Sequence, residues 1–129
     1  MPNTRIEVKQ GWVGDQRAAV IEAVHAAMVE AIQIPEHDRA LRLIEHDAEA
    51  FSAPPERSDK YTLVEITLFA GRSIEAKRKL YRAIVRNLSA LGVPPMDIKT
   101  VLVEVPPENW GVRGGKAASE VDLGFEIKV

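Results

Sequence analysis

Three residues stand where acid–base and anion chemistry can be done. Pro2 follows a methionine, and a small second residue normally allows that methionine to be removed, leaving a free secondary amine. An α-amine titrates near ~8, so modest desolvation or a neighbouring cation leaves it neutral at working pH. It is then a general base, and in its protonated form a general acid. If Met1 is retained, the nitrogen is locked in an amide and this chemistry is absent. Arg72, in FAGRS, falls between the end of a strand pattern and the start of a helix pattern. Parallel sheets bind ligands beyond the carboxyl ends of their strands, where a guanidinium can grip a carboxylate with two parallel hydrogen bonds. Asp38, in IPEHDR, can position a water or a substrate hydroxyl, although alone it reads as an ordinary turn aspartate. Trp110 and Phe125 are candidate walls of an apolar pocket, although either residue type is more often simply core. Arg113, beside Gly114 and Gly115, can bind an anion or simply solvate a loop.

Other chemistries find little support. The chain has no cysteine, hence no disulfide, thiolate nucleophile or Cys metal site. His25, His37 and His46 form no HExxH or other familiar ligand spacing, and GVRGG has neither the Walker lysine nor GxGxxG spacing after a strand. The expectation is therefore no cofactor and no metal. Lys and Arg number 17 against 19 Asp and Glu, which gives no electrostatic reason to expect nucleic acid. No apolar run approaches the ~18–20 residues that span a bilayer, and MPNTRIEV lacks the pattern of a signal peptide. A cytoplasmic protein is expected, with no membrane partner.

The elements that must carry these residues repeat. Thr4–Lys9 alternates as a half-buried strand, and Gly11 and Gly14 then break the chain. From Asp15, read as an N-cap, to about Gln33, the apolar positions Ala19, Val20, Ala23, Val24, Ala27, Met28, Ala31 and Ile32 fall on one helix face. Pro35 stops that helix, and Leu41–Ile44 reads as a short strand. Tyr61–Phe69 is then a strand, Ser73 caps a helix over Ile74–Leu91, and Gly92 closes it. The apolar side of this helix is Ala76, Leu80, Ala83, Ile84, Val85, Leu88 and Leu91. Thr100–Val105 is the matching last strand. Gly11 and Gly71 are 60 residues apart, and the proline-led turns at Pro35–Asp38 and Pro94–Asp97 are 59 apart.

A parallel strand pair joined by a right-handed helical crossover is the natural reading of each half. Two such units side by side make a four-stranded sheet with two helices on one face. The fold class is thus α/β, a duplicated β-α-β unit. Residues 1–129 form one domain, with units at about 2–45 and 60–105 and a tail hairpin over 106–129, in which VDLGFEIKV is a possible strand. The connector Glu45–Lys60 holds Pro54-Pro55, with Phe51 a candidate to tuck into a groove. Val64 interrupts strict alternation in YTLVEITLF. Either the second sheet face meets another subunit, or this is an edge strand with a bulge.

In order and spacing, MPNTRIEV, the internal duplication, IPEHDR, LFAGRSIEAKRKLY and PPENWGVRGG resemble the tautomerase superfamily, whose members use an N-terminal proline. The similarity covers essentially the whole chain and is strongest to the long, fused branch that includes malonate semialdehyde decarboxylase. It implies a homotrimer assembled through the sheets, with Pro2 as the catalytic acid or base. It also implies roles for Asp38 after the first helix and for Arg72 after the third strand. The decarboxylase branch carries two arginines separated by one residue; the first falls here on Ala70, so one contact to carboxylate and carbonyl is missing. A histidine of one dehalogenase branch falls near Val29. The activity implied is tautomerisation of a small 2-oxo or enol carboxylic acid. Decarboxylation of a 3-oxo acid such as malonate semialdehyde, and a trimeric binding protein without turnover, are the alternatives.

Overall fold

The computed structural model describes residues 2–129; the removal of Met1 concerns a residue outside that set. Four strands form one mixed sheet: β1 (Asn3–Lys9), β2 (Leu41–His46), β3 (Thr62–Phe69) and β4 (Ile98–Val105). Their order is β2-β1-β3-β4. β1 pairs parallel with β2 and β3 parallel with β4, while β1 and β3 meet antiparallel in the centre. Each parallel pair is joined through one helix, α1 (Arg17–Ile32) or α2 (Ile74–Ser89). The duplicated β-α-β unit is therefore present, with both helices on the same sheet face.

The two helices answer to different physics. α2 is sharply two-faced: Ala76, Leu80, Ala83, Ile84 and Leu88 are buried, while Arg78, Lys79, Arg82 and Arg86 face outward. Val85 and Leu91, expected on the buried stripe, are only half-buried: at ~100° per residue Val85 falls to the side of the stripe centred on Leu80 and Ala83, and Leu91 lies beyond the last residue of α2. The hydroxyl of Ser73 accepts the Ala76 amide at 3.1 Å, as an N-cap should. α1 buries Val20, Val24, Ala27, Met28, Ala31 and Ile32 together with His25, while Ala19 is exposed. Asp15 is not its cap. It lies inside a 3-10 turn over Gly14–Gln16, and Gln16 precedes the helix without a side-chain cap. Termination also comes before Pro35, at Gln33, whose φ of 57° is left-handed.

Thr4, Ile6 and Val8 of β1, and Val64, Ile66 and Leu68 of β3, are buried, and the apolar ones join the helices in one core. Their spacing of two puts them on one sheet face. Val64 thus belongs to the buried alternation, and Leu63 and Phe69 are the apolar residues of β3 on the other face. β3 is a central strand in unbroken register with β4, which overturns the edge-strand-with-bulge alternative. On the other face, Val101 and Val103 of β4 are 43% and 39% exposed. His46 Nε2 meets Glu7 Oε1 at 3.0 Å, and Phe51 lies between the rings of His46 and Tyr61, tilted to both.

Three strand ends lengthen relative to the sequence reading. β1 begins at Asn3, β2 runs on to His46 and β4 begins at Ile98. The tail differs more. Its hairpin is β5 (Gly111–Val112) with β6 (Lys116–Ala117), and VDLGFEIKV forms no strand. Phe125 and Val129 instead pack on the core.

Candidate active site

Because β1 and β3 are antiparallel, the start of β1 lies beside the end of β3. Asn3 pairs with Thr67, so one step outward sets Pro2 opposite Leu68. Asp38 stands three residues before β2, and Arg72 three residues after β3. Trp110 follows β4, where its indole N–H donates to the Val105 carbonyl at 3.3 Å and its ring meets Phe69 edge-on at 5.0 Å. Four of the sequence candidates thus gather at one end of the sheet.

Arg72 is the most constrained of them. Only 6% exposed, it donates from Nη1 to the Phe69 carbonyl at 3.1 Å. Among the described residues, its Nε and Nη2 have no hydrogen-bond partner. Burial lowers its pKa, and the charges of Glu104 and Asp38 oppose that fall. A buried guanidinium with two idle donors costs stability unless something occupies them, and a carboxylate fits that fork. Asp38 acts on this cation by charge, and its amide is tied to the Pro35 carbonyl at 3.0 Å. Pro2 is buried.

The loop under Arg72 is built around Gly71. Its φ of +129° is open to glycine and strained for other residues. A Cβ there would come within 3.2 Å of Ile127 Cγ2. The tail therefore crosses this loop, and the Ser73 amide donates to the Val129 carbonyl at 2.9 Å. Phe125, half-buried, packs against the core from the same tail. Arg113 is exposed at the tip of the β5–β6 turn with φ 48°.

Two residues near Arg72 escaped the sequence reading. Glu104 takes Lys77 Nζ at 2.6 Å. A glutamate in TVLVEV reads as the polar side of a strand, and nothing in the sequence ties it to a lysine 27 residues earlier. Elsewhere, a hollow of about 370 Å³ is lined by Gln10, Gly11, Gly14, Arg17 and Glu45. It lies at the opposite sheet end, where Arg17 and Glu45 already pair at 2.6 Å, so we do not take it as the site. Among the described residues, no His, Asp and Glu side chains gather as a metal site, and no helix is long and apolar enough to cross a membrane.

Fold and site define a small α/β protein of duplicated β-α-β design, with a buried arginine whose Nε and Nη2 meet no hydrogen-bond acceptor among the described residues. The chain belongs to the tautomerase family: the family model described as tautomerase enzyme matches residues 38–113. It is 28% identical to the probable tautomerase YusQ of Bacillus subtilis (strain 168), over 91% of this chain and 97% of that protein. Among solved structures it is similar to FG41 malonate semialdehyde decarboxylase inhibited by 3-bromopropiolate. That likeness has a TM-score of 0.82 and 32% identity over 89% of this chain and 92% of the other. It is also similar to the Q0 fused 4-OT, a wild-type symmetric trimer, at TM-score 0.80 and 29% identity, covering 90% and 95%.

Proposed function

We propose that this chain is a cofactor-independent tautomerase of a small 2-oxo or enol carboxylic acid, with Pro2 as its acid and base. The observation that carries this reading is the pair of idle, buried Arg72 donors at the sheet end where β1 begins. Arg72 holds the substrate carboxylate and stabilises negative charge as the enolate develops. Neutral Pro2 takes the enol O–H proton, and the resulting ammonium returns it to the adjacent carbon, so the reaction is balanced without a co-reactant. Asp38 orients the substrate or a water, and Trp110 and Phe69 wall off solvent. Phe125 and Arg113 complete the pocket in the assembled protein.

Assembly is proposed as a homotrimer through the helix-free sheet face, supported by the exposed Val101 and Val103 and by the trimeric fused 4-OT relative. The location is proposed as cytoplasmic.

Decarboxylation of a 3-oxo acid is the second reading, favoured by the 32% identity to the decarboxylase. Protonated Pro2 and Arg72 would then polarise the 3-carbonyl as CO2 leaves, or Pro2 would form a Schiff base with it. Ala70 supplies no second guanidinium for that route, which ranks it below the first.

Intact-mass measurement tests the premise, since a retained Met1 defeats both proline mechanisms. Turnover of phenylenolpyruvate and of malonate semialdehyde is then compared in wild type, Pro2→Ala and Arg72→Ala. Loss of phenylenolpyruvate turnover in both variants supports the proposal; unchanged turnover sinks it. Preference for malonate semialdehyde installs the second reading, and turnover of neither leaves a binding protein.

A further inference from the structure

We propose that Glu104 and Lys77 form a charge pair that sets how tightly Arg72 holds a carboxylate, Glu104 weakening the grip and Lys77 restoring it. The inference rests on reading Arg72 as the carboxylate anchor. Both are positioning residues, acting through Arg72.

Glu104 lies opposite Leu68 in the β3–β4 ladder, at the end of the sheet that carries Arg72. The residue after Leu68 in β3, Phe69, gives its carbonyl to Arg72 Nη1 at 3.1 Å. Lys77, from the first turn of α2, closes on its Oε1 at 2.6 Å. The Lys77 hydrogen bond is the main cause holding the Glu104 carboxyl below its usual range, and Arg72 adds to it. Glu104 is therefore ionised at neutral pH, a negative charge 37% exposed that acts on the Arg72 cation through space.

Such a charge has two effects. It helps keep the buried guanidinium charged, and it repels an incoming carboxylate. Lys77, partly shielded with 21% exposure, offsets the repulsion. Removing either charge should thus shift anion affinity in opposite directions. A purely structural ion pair predicts otherwise, because breaking it from either side would loosen this sheet end and weaken binding both times.

Glu104→Gln keeps the shape and an acceptor for Lys77 while removing the charge, and Lys77→Met keeps the aliphatic stem. Calorimetric titration with phenylpyruvate gives Kd, and phenylenolpyruvate turnover gives KM and kcat. We expect Kd and KM to fall about three- to tenfold in Glu104→Gln and to rise by a similar factor in Lys77→Met. Changes in kcat should stay within about twofold, and both shifts should shrink in 0.5 M salt. Asp59→Asn, 89% exposed at the far end of the sheet, should change neither. Weaker binding in both variants, or no change in either, overturns the inference. If Glu104→Gln does not fold, tighter or unchanged binding in Lys77→Met overturns it alone. A wild type that binds phenylpyruvate with the opposed shifts, but turns nothing over, removes the tautomerase reading and leaves the charge pair standing. Normal turnover without those shifts does the reverse, and no binding at all ends both.

Discussion

The amide of Ser73 donates to the carbonyl of Val129 at 2.9 Å, so one residue is at once the cap of α2 and the mooring of the tail. The hydroxyl serves the helix and the backbone serves the tail. Arg72 sits immediately before this knot, and the tail residues Ile127 and Val129 help close over its loop.

Loosening the tail should therefore be felt at the loop. Deleting residues 125–129 strips the acceptor from Ser73 and uncovers core that Phe125 and Val129 pack against. We expect the Ser73 amide to exchange on the order of tenfold faster, read by hydrogen exchange with mass or NMR detection. Exchange in the middle of α1 should hardly change. Unaltered protection at Ser73 would show that the mooring does not order this loop.

Gly71→Ala tests the same region from beneath. The backbone there has φ +129°, and the added methyl would meet Ile127 Cγ2 at 3.2 Å. Strain of this type costs about 1–3 kcal/mol, measurable by urea unfolding. Displacing Arg72 should also raise KM for a carboxylate substrate. Gly11→Ala makes a useful comparison: φ is +114° but nothing lies within 4 Å, so it should cost stability and spare KM.

At the other sheet end, Asp97 is 3% exposed and accepts both the amide and the hydroxyl of Ser58. It occupies the place in the second half that Asp38 holds in the first. Ser58→Ala removes one donor from a buried carboxylate, which should cost about 1–3 kcal/mol in chemical denaturation. Turnover at the Arg72 end should remain within about twofold. A large loss of kcat with full stability would mean that the two ends are coupled.

Acid titration should reveal Glu104. Its native pKa is depressed below the ordinary 4.5, first by the Lys77 hydrogen bond and against some burial. The unfolded chain thus binds a proton at higher pH than the native one. The resulting stability is present above the unfolded value and disappears as pH falls through the lower native value. Melting temperature should drop less steeply in Glu104→Gln than in wild type as pH falls from roughly 5 to 3. Parallel curves would refute the assignment.

How far the sequence speaks for this architecture differs by element. Strands β1 and β3, both helices and the Ser73 cap are legible because each is a local matter of periodicity or of a hydroxyl at a helix start. The tail misleads for an instructive reason. In VDLGFEIKV, half-buried and exposed residues do alternate from Val121 to Val129, yet the segment pairs with no strand. Period two reports a chain lying flat on an apolar surface, and that surface here is the core beneath Phe125 and Val129, not a ladder. Asp15 fails differently, since a short 3-10 turn intervenes before α1 and no local rule separates it from a cap. At the site, Pro2, Asp38 and Arg72 stand out in sequence only through their family pattern. Glu104 and Lys77 belong to different elements and become neighbours only when α2 folds back onto the sheet.

The antiparallel centre of the sheet leaves the two tryptophans at opposite poles, Trp12 just past β1 and Trp110 just past β4. Each indole therefore reports on its own pole. With Trp12 replaced by phenylalanine, the remaining emission would come from a ring lodged against Phe69. The molecule thus carries an intrinsic optical probe of what enters beside Arg72, with no dye or label required.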